Sequence, residues 1–542
     1  MSHLHDKPLS TDATAPSDPS ALDWGSVLLW SALACCPFWL FQIEHFLRFE
    51  RQATGFILFD MAYYPANGRE IFERGNGFGY CNPYDPDPAA PVIYYHWLQW
   101  IYGLGIKGFG IDPGLWFLAV GGIGGFLVAC LTLRLVEAVL PNRTFRLPLF
   151  LLVMWGGGIL VGLALLLNLI LGLPLSFALL RFDPFVGWWC LNWGRNLVIP
   201  TEAVYHACVA AAWLAIIRNR PWVATSFVAL LAATHPFSGI QHLVILGSWL
   251  GWRSLQQRRL AGPLLTVSGM TAVFLWYYFM YLPSFPEHQA IHEGWSLDWT
   301  LPLVSMLAAY LPVAAIAFIR VWQDRRSWQP HMTFFLLAAG LSFLLVHHDW
   351  FIAAKQPLHF TRGYVWMPLC LLGLPAIQTW LSGLQQSLGP VLFSTVAAGS
   401  FLGAIADNAV WLTTVPRKPE GKHGQVAVPR DVQRAFAFLN ETNASGVILV
   451  VVPGSFDSNC LAATYTSLVP FIGHPFLTPD YDARVDAAML WERTGQENEL
   501  FQSIDLVIIT KQVLDQARPY DFSGWTRIHE NDTVVVLRRG DR

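Results

Sequence analysis

The chain consists of long apolar runs almost without Asp, Glu, Lys or Arg, separated by short loops in which arginines collect. A run of about twenty such residues crosses about 30 Å of hydrocarbon as a helix, and only a closed hydrogen-bonding scheme is tolerated there. Spans are expected at 24–41, 114–139, 148–180, 201–217, 263–283, 301–321, 332–347, 366–384 and 390–412. Charged residues make up 13% of the sequence and apolar ones 54%, against about 25% charged in soluble proteins. The fold class expected is a mainly α, polytopic bundle of transmembrane helices with a small soluble α/β domain at its C-terminal end.

Residues 1–23, rich in Ser, Thr, Asp and Pro, have no apolar periodicity and are expected to be a disordered cytoplasmic tail. An acidic flank and no small-residue cleavage site make 24–41 an uncleaved first helix. Between Pro221 and Trp252 two shorter apolar runs flank Thr234-His235-Pro236-Phe237-Ser238-Gly239, which predicts two short helices meeting at a break. The loops holding Arg134, Arg143 and Arg146, then Arg218 and Arg220, Arg253, Arg258 and Arg259, and Arg320, Arg325 and Arg326 are cytoplasmic by the positive-inside rule. The long first loop 44–113, despite Arg48, Arg51, Arg69, Arg74 and Lys107, then faces outward with the tail domain 413–542.

In that tail, 429–443 reads as a helix, and 446–452, 504–510 and 533–537 as buried strands. Tyr465 and the loop about His474 are read as packing residues, with acceptor contact as the alternative. The net charge of −3 gives no reason to expect a nucleic-acid partner. Among eight cysteines only Cys81, Cys190 and Cys460 lie in polar segments where a bridge is conceivable.

The first loop carries the densest chemistry. Residues 92–102 have the aromatic density of a helix lying at a membrane surface. Upstream, the run Phe56-Ile57-Leu58-Phe59 ends in Asp60, with Tyr63, Tyr64 and Arg69 following as candidates to line a cavity. A carboxylate beside the membrane surface suits a general base, whereas a helix cap or a partner for Arg69 or Arg74 is the plainer reading. Asp60-Met61-Ala62-Tyr63-Tyr64, Gly68-Arg69-Glu70, Gly75-Asn76-Gly77, Asn82-Pro83-Tyr84-Asp85-Pro86 and Pro91 to Trp97 together resemble the first outer loop of GT-C membrane glycosyltransferases. Ala463-Thr464-Tyr465-Thr466 and Gly473 to Tyr481 are weakly similar to the C-terminal domain of bacterial members. The resemblance implies transfer of a sugar from a polyprenyl-phosphate carrier to a glycan, lipid or protein acceptor on the outer face of the cytoplasmic membrane, with Asp60 as base. Many relatives place a second acid beside the first. Here Met61 follows, so a metal-bridging role is not carried over and no cofactor is expected.

Departure of a lipid phosphate requires a cation. Arg362, in the loop Lys355 to Tyr364, is the first choice because a guanidinium grips phosphate in bidentate fashion. Lys355 and His359 flank it, and Arg195 among Trp188, Trp189 and Trp193 is the second choice, with an interfacial anchor as the alternative for both arginines. His235 and His242 at the expected helix break, and His348, are cavity candidates, with structural hydrogen bonding as the alternative. His347, His348, Asp349 and His359 match no metal-ligand spacing. Gly103 to Gly108 fits G-x-G-x-x-G without a preceding strand and is discounted. Gly156-Gly157-Gly158 is read as close helix packing. A non-catalytic transporter or a glycan- or lipid-binding protein is the competing class; against a transporter, the carboxylates in the later spans are Glu137, Glu202 and Asp407, all near span ends.

Overall fold

The computed structural model describes residues 22–47, 52–57, 59–73, 76–140, 142–184, 190–293, 298–414, 426–452, 457–515 and 524–540. The tail 1–21, Arg48, Arg51, Arg74, Trp188 and Trp189 lie outside them.

Apolar composition and helix length build the bundle from α1 (Trp24–Leu47), α4 (Pro113–Val139), α5 (Arg146–Trp155), α6 (Leu160–Ile170), α8 (Pro200–Ile217), α9 (Pro221–Ala232), α10 (Pro236–Gln257), α11 (Gly262–Trp276), α13 (Leu303–Gln323), α14 (Pro330–Val346) and α15 (Trp366–Thr414). The first loop contributes α2 (Phe59–Glu73) and α3 (Trp97–Gly103), and the short α7 (Trp193–Asn196) and α12 (Pro286–Glu293) sit in later loops. Among the described residues, six helices are long and apolar enough to cross a bilayer. At the arginine-bearing turn after α4, Gln378 donates to the carbonyls of Asn142 and Thr144, at 3.1 and 2.5 Å, and Arg253 donates to Asn219 at the turn after α8.

Two expected spans differ. The run 148–180 is not one helix: α5 and α6 are bent by 69° across Gly156-Gly157-Gly158. Breaking a helix inside apolar surroundings strands backbone groups, and here α15 takes them up. Asp407 accepts the N–H groups of Leu160 (3.1 Å) and Val161 (2.8 Å), Asn408 donates to the carbonyls of Trp155 and Gly156, and Gly157 donates to Ala404. A side chain at Gly158 would strike the backbone of Ala308, so the glycines serve both the bend and a close approach. The second run after Pro221 is also longer than expected. Its polar Ser238, Gln241 and His242 lower its apolar character, yet all are buried, with Gln241 donating to Ser342 and to the Phe360 carbonyl. The break itself falls where expected, at Ala233 to His235. In α15 the two expected spans join through Gly389, at φ 70°.

The surface helix expected over 92–102 is shorter. Tyr94 and Tyr95 form β3 (Tyr94–Tyr95), paired antiparallel with β2 (Gly79–Tyr80), and α3 lies against α2 where Gly68 meets Gly103, a contact that leaves no room for a Cβ.

The C-terminal domain is a mixed five-stranded sheet in the order β6-β5-β7-β9-β8: β5 (Val447–Val451), β6 (Val469–Pro470), β7 (Leu506–Thr510), β8 (Trp525–Glu530) and β9 (Val534–Arg539). β5 pairs parallel with β6 and β7, and β9 closes antiparallel against β7 and β8. The helices are α16 (Arg430–Glu441), α17 (Asp457–Tyr465), α18 (Tyr481–Thr494) and α19 (Lys511–Asp515). Valine and isoleucine on both faces of β5 and β7 are buried, which is why these strands read as continuous apolar runs. None of the eight cysteines is in a disulfide, so Cys81, Cys190 and Cys460 form no bridge.

Candidate active site between the first loop and the C-terminal domain

The C-terminal domain is fastened to the first loop by backbone and side-chain bonds. β1 (Gln52–Ala53) pairs antiparallel with β4 (Ala427–Val428), and Thr54 donates to the Val426 carbonyl at 2.5 Å. Thr464 on α17 donates to the Ala62 carbonyl (2.8 Å), and Asn82 donates to the Leu477 carbonyl (2.6 Å). Arg69 bonds Asn440 while paired with Glu73, so it is a tie between loop and tail and not a cavity residue.

At this seam sits Asp60, in the first turn of α2, where the helix N-terminus favours a carboxylate. Its Oδ1 lies 2.7 Å from Nε2 of His474, and its side chain is 45% exposed while that of His474 is 6% exposed. The rings of Tyr63 and Tyr84 stand 6.1 and 6.2 Å from the His474 ring, and Tyr84 is fully buried. Burial raises the proton affinity of the Tyr63 hydroxyl. His474, read from sequence as packing, is therefore the partner of the loop acid.

A second polar cluster lies behind α2. Tyr64 faces His96 edge-on, and the Tyr205 hydroxyl lies 3.4 Å from His96 Nε2. Burial pushes the Tyr64 hydroxyl well up and keeps it neutral between Asp60 on one side and Glu202 and Arg362 on the other. Burial also lowers His96 to about 3. The Tyr205 ring then contacts His235, whose Nε2 lies 3.1 Å from Arg362.

Arg362 departs from the expected phosphate ligand. It is 2% exposed, and its guanidinium meets Glu202 through Nε (3.0 Å) and Nη2 (2.8 Å), the His359 carbonyl (2.7 Å), His359 Nδ1 (3.2 Å) and His235. The Nε N–H, both Nη1 N–H groups and one Nη2 N–H therefore have protein acceptors, while the other Nη2 N–H faces His235 Nε2, which carries that ring's proton because Nδ1 accepts from the Ser238 N–H. A left-handed backbone at Arg362 (φ 29°), followed by Gly363 (φ 75°), turns the side chain inward. His359 is stacked between Phe237 and Trp299, and burial with the nearby Arg362 charge holds its imidazole neutral.

The other candidates fall elsewhere. Arg195 is buried, pairs with Asp183 at 2.6 Å and lies over Trp411, while Trp193 is buried against His206 instead of belting the membrane surface. His348 bonds the Leu345 carbonyl through Nδ1 and receives the Lys355 N–H at Nε2, which makes it a loop clasp. His242 bonds the Ser238 carbonyl within its own helix and packs on Tyr364. Lys355 is exposed. Among the described residues no three His, Cys, Asp or Glu side chains gather closely enough to hold a metal ion. Glu202, an acid entering an apolar helix and weighed from the sequence only against a transporter, is the partner of Arg362.

No family model matches the chain, and no curated protein matches it. Among solved structures, the chain is similar to the Archaeoglobus fulgidus oligosaccharyltransferase. Against its apo form the identity is 13% and the TM-score 0.45, covering 90% of this chain and 69% of that one. Against its complex with Zn and sulfate the values are 10% and 0.48, covering 89% and 68%.

Proposed function

We propose that the chain is an integral-membrane glycosyltransferase of the GT-C type, moving a sugar from a polyprenyl-phosphate carrier to a glycan, lipid or protein acceptor. The observation that carries this reading is Asp60: a half-exposed carboxylate at the end of a membrane bundle, tied by one oxygen to His474 and set in the loop whose residues resemble that family. Asp60 takes the proton of the acceptor's nucleophile as that atom attacks the anomeric carbon. The bond from that carbon to the phosphate oxygen breaks, and the lipid phosphate leaves with the electron pair.

Charge then builds on the phosphate and calls for a cation. Arg362 and Arg195 are committed to Glu202 and Asp183, and His359 to its aromatic stack. Lys355, exposed on the loop that leads into Arg362, is the candidate left to meet the phosphate. In this reading the N-terminus is cytoplasmic, and the site and C-terminal domain face outward, a direction supported by the arginines collected in the alternate loops. Protein reconstituted in liposomes with radiolabelled polyprenyl-phosphate hexoses and pentoses and a lipid-and-glycan extract tests it. Label moving from carrier to acceptor is expected, and a label that stays on every carrier overturns the reading.

A further inference from the structure

We propose that His474 is a positioning residue that aims the Asp60 carboxylate, so that the reaction centre is completed by the C-terminal domain. The inference rests on the reading that Asp60 takes the acceptor proton. His474 lies 414 positions from Asp60 in sequence. The backbone N–H of Phe476 points at its Nδ1 from 3.2 Å, and a backbone N–H only donates. Nδ1 is thereby the acceptor, and the ring offers its N–H from Nε2, straight onto Asp60 Oδ1 at 2.7 Å. One turn of backbone sets the tautomer.

The ring is held from outside as well. Leu477 and Thr478 both donate backbone N–H groups to the His474 carbonyl, Gly473 donates to the Thr478 hydroxyl, and Asn82 of the first loop holds the Leu477 carbonyl. Gly473 itself lies flat on the Tyr84 ring, where any side chain would collide. These contacts fix the ring more firmly than a solvent-exposed carboxylate fixes itself. A carboxylate free to rotate presents its lone pairs in many directions; with one oxygen bonded to His474, the rotation of this partly exposed group is restrained.

The test compares His474→Phe, which keeps a ring but no donor, with His474→Gln, which returns an N–H near the Nε2 position, both as full chains in liposomes with radiolabelled polyprenyl-phosphate sugars. His474→Phe is expected to lower kcat by about 10- to 100-fold with KM within about twofold, and His474→Gln to recover most of it. Wild-type kcat in His474→Phe, or equal loss in both variants, overturns the proposal. A readout independent of activity is the spectrum of the full chain labelled with 15N-histidine in nanodiscs. The Nε2–H resonance lost in His474→Gln is expected to move in Asp60→Asn, and an unmoved resonance also overturns it. Should Asp60→Asn transfer sugar like the parent, the role of Asp60 as base falls, while the spectrum still reports the pair.

Discussion

Arg362 aims the whole edge of its guanidinium at the protein, and Glu202, 160 positions earlier, accepts from it through a single oxygen at 3.0 and 2.8 Å. A buried pair of this kind gains little over an apolar substitute, yet breaking it by removing one partner is costly. Arg362→Ala and Glu202→Gln are each expected to destabilise the protein by about 3 to 5 kcal/mol, while Arg362→Met with Glu202→Leu recovers most of that. Thermal unfolding in detergent checks this. Arg362→Lys is expected to behave more like Arg362→Ala than like the parent, because an ammonium cannot span the Glu202 oxygen, the His359 carbonyl and His359 Nδ1 together.

The seam between first loop and tail is closed by Gly473 on Tyr84. Gly473→Ala has no space for its methyl group and is expected to cost about 1 to 3 kcal/mol. The expected readout is faster proteolytic release of the C-terminal domain, with the bundle's own melting little changed.

Asp407 caps α6 with both oxygens. Asp407→Ala leaves the Leu160 and Val161 N–H groups without their acceptor in a buried place, at about 1 to 3 kcal/mol, and Asp407→Asn, which keeps one accepting oxygen, should lose less. Thermal unfolding of the two variants side by side measures the difference.

His96 introduces a pH dependence. Burial holds it at about 3, against 6.5 for the ordinary group, so between those values the unfolded chain binds a proton that the folded chain does not. Stability is therefore full above about pH 6.5 and declines as the pH falls, by about 1.4 kcal/mol per unit from this one group. Unfolding followed from pH 7.5 to 5 should show that slope reduced in His96→Gln.

Much of the bundle was legible because uncharged runs leave few alternatives, and β5, β7 and β9 were legible from their β-branched runs. The bend between α5 and α6 was not, since three glycines alone do not distinguish packing from a break. What decides it is Asp407 and Asn408, some 250 positions away. The length of α10 was masked by polar residues whose partners are on other helices. β8, a half-exposed edge strand in which Thr526 and Arg527 separate Trp525 from Ile528, offers no alternating signal. Within the site, Asp60, Tyr63 and Tyr64 were legible as a local motif. The Asp60–His474 and Arg362–Glu202 pairs were not, because each joins segments that only the folded chain brings together.

The measurement that bears most directly on the central claim is sugar transfer by Asp60→Asn in liposomes with radiolabelled polyprenyl-phosphate donors, beside the parent. The substitution keeps size and hydrogen bonding but removes the base, so a fall in kcat of about 100- to 10,000-fold with donor binding retained is expected. Transfer at the parent rate contradicts the account.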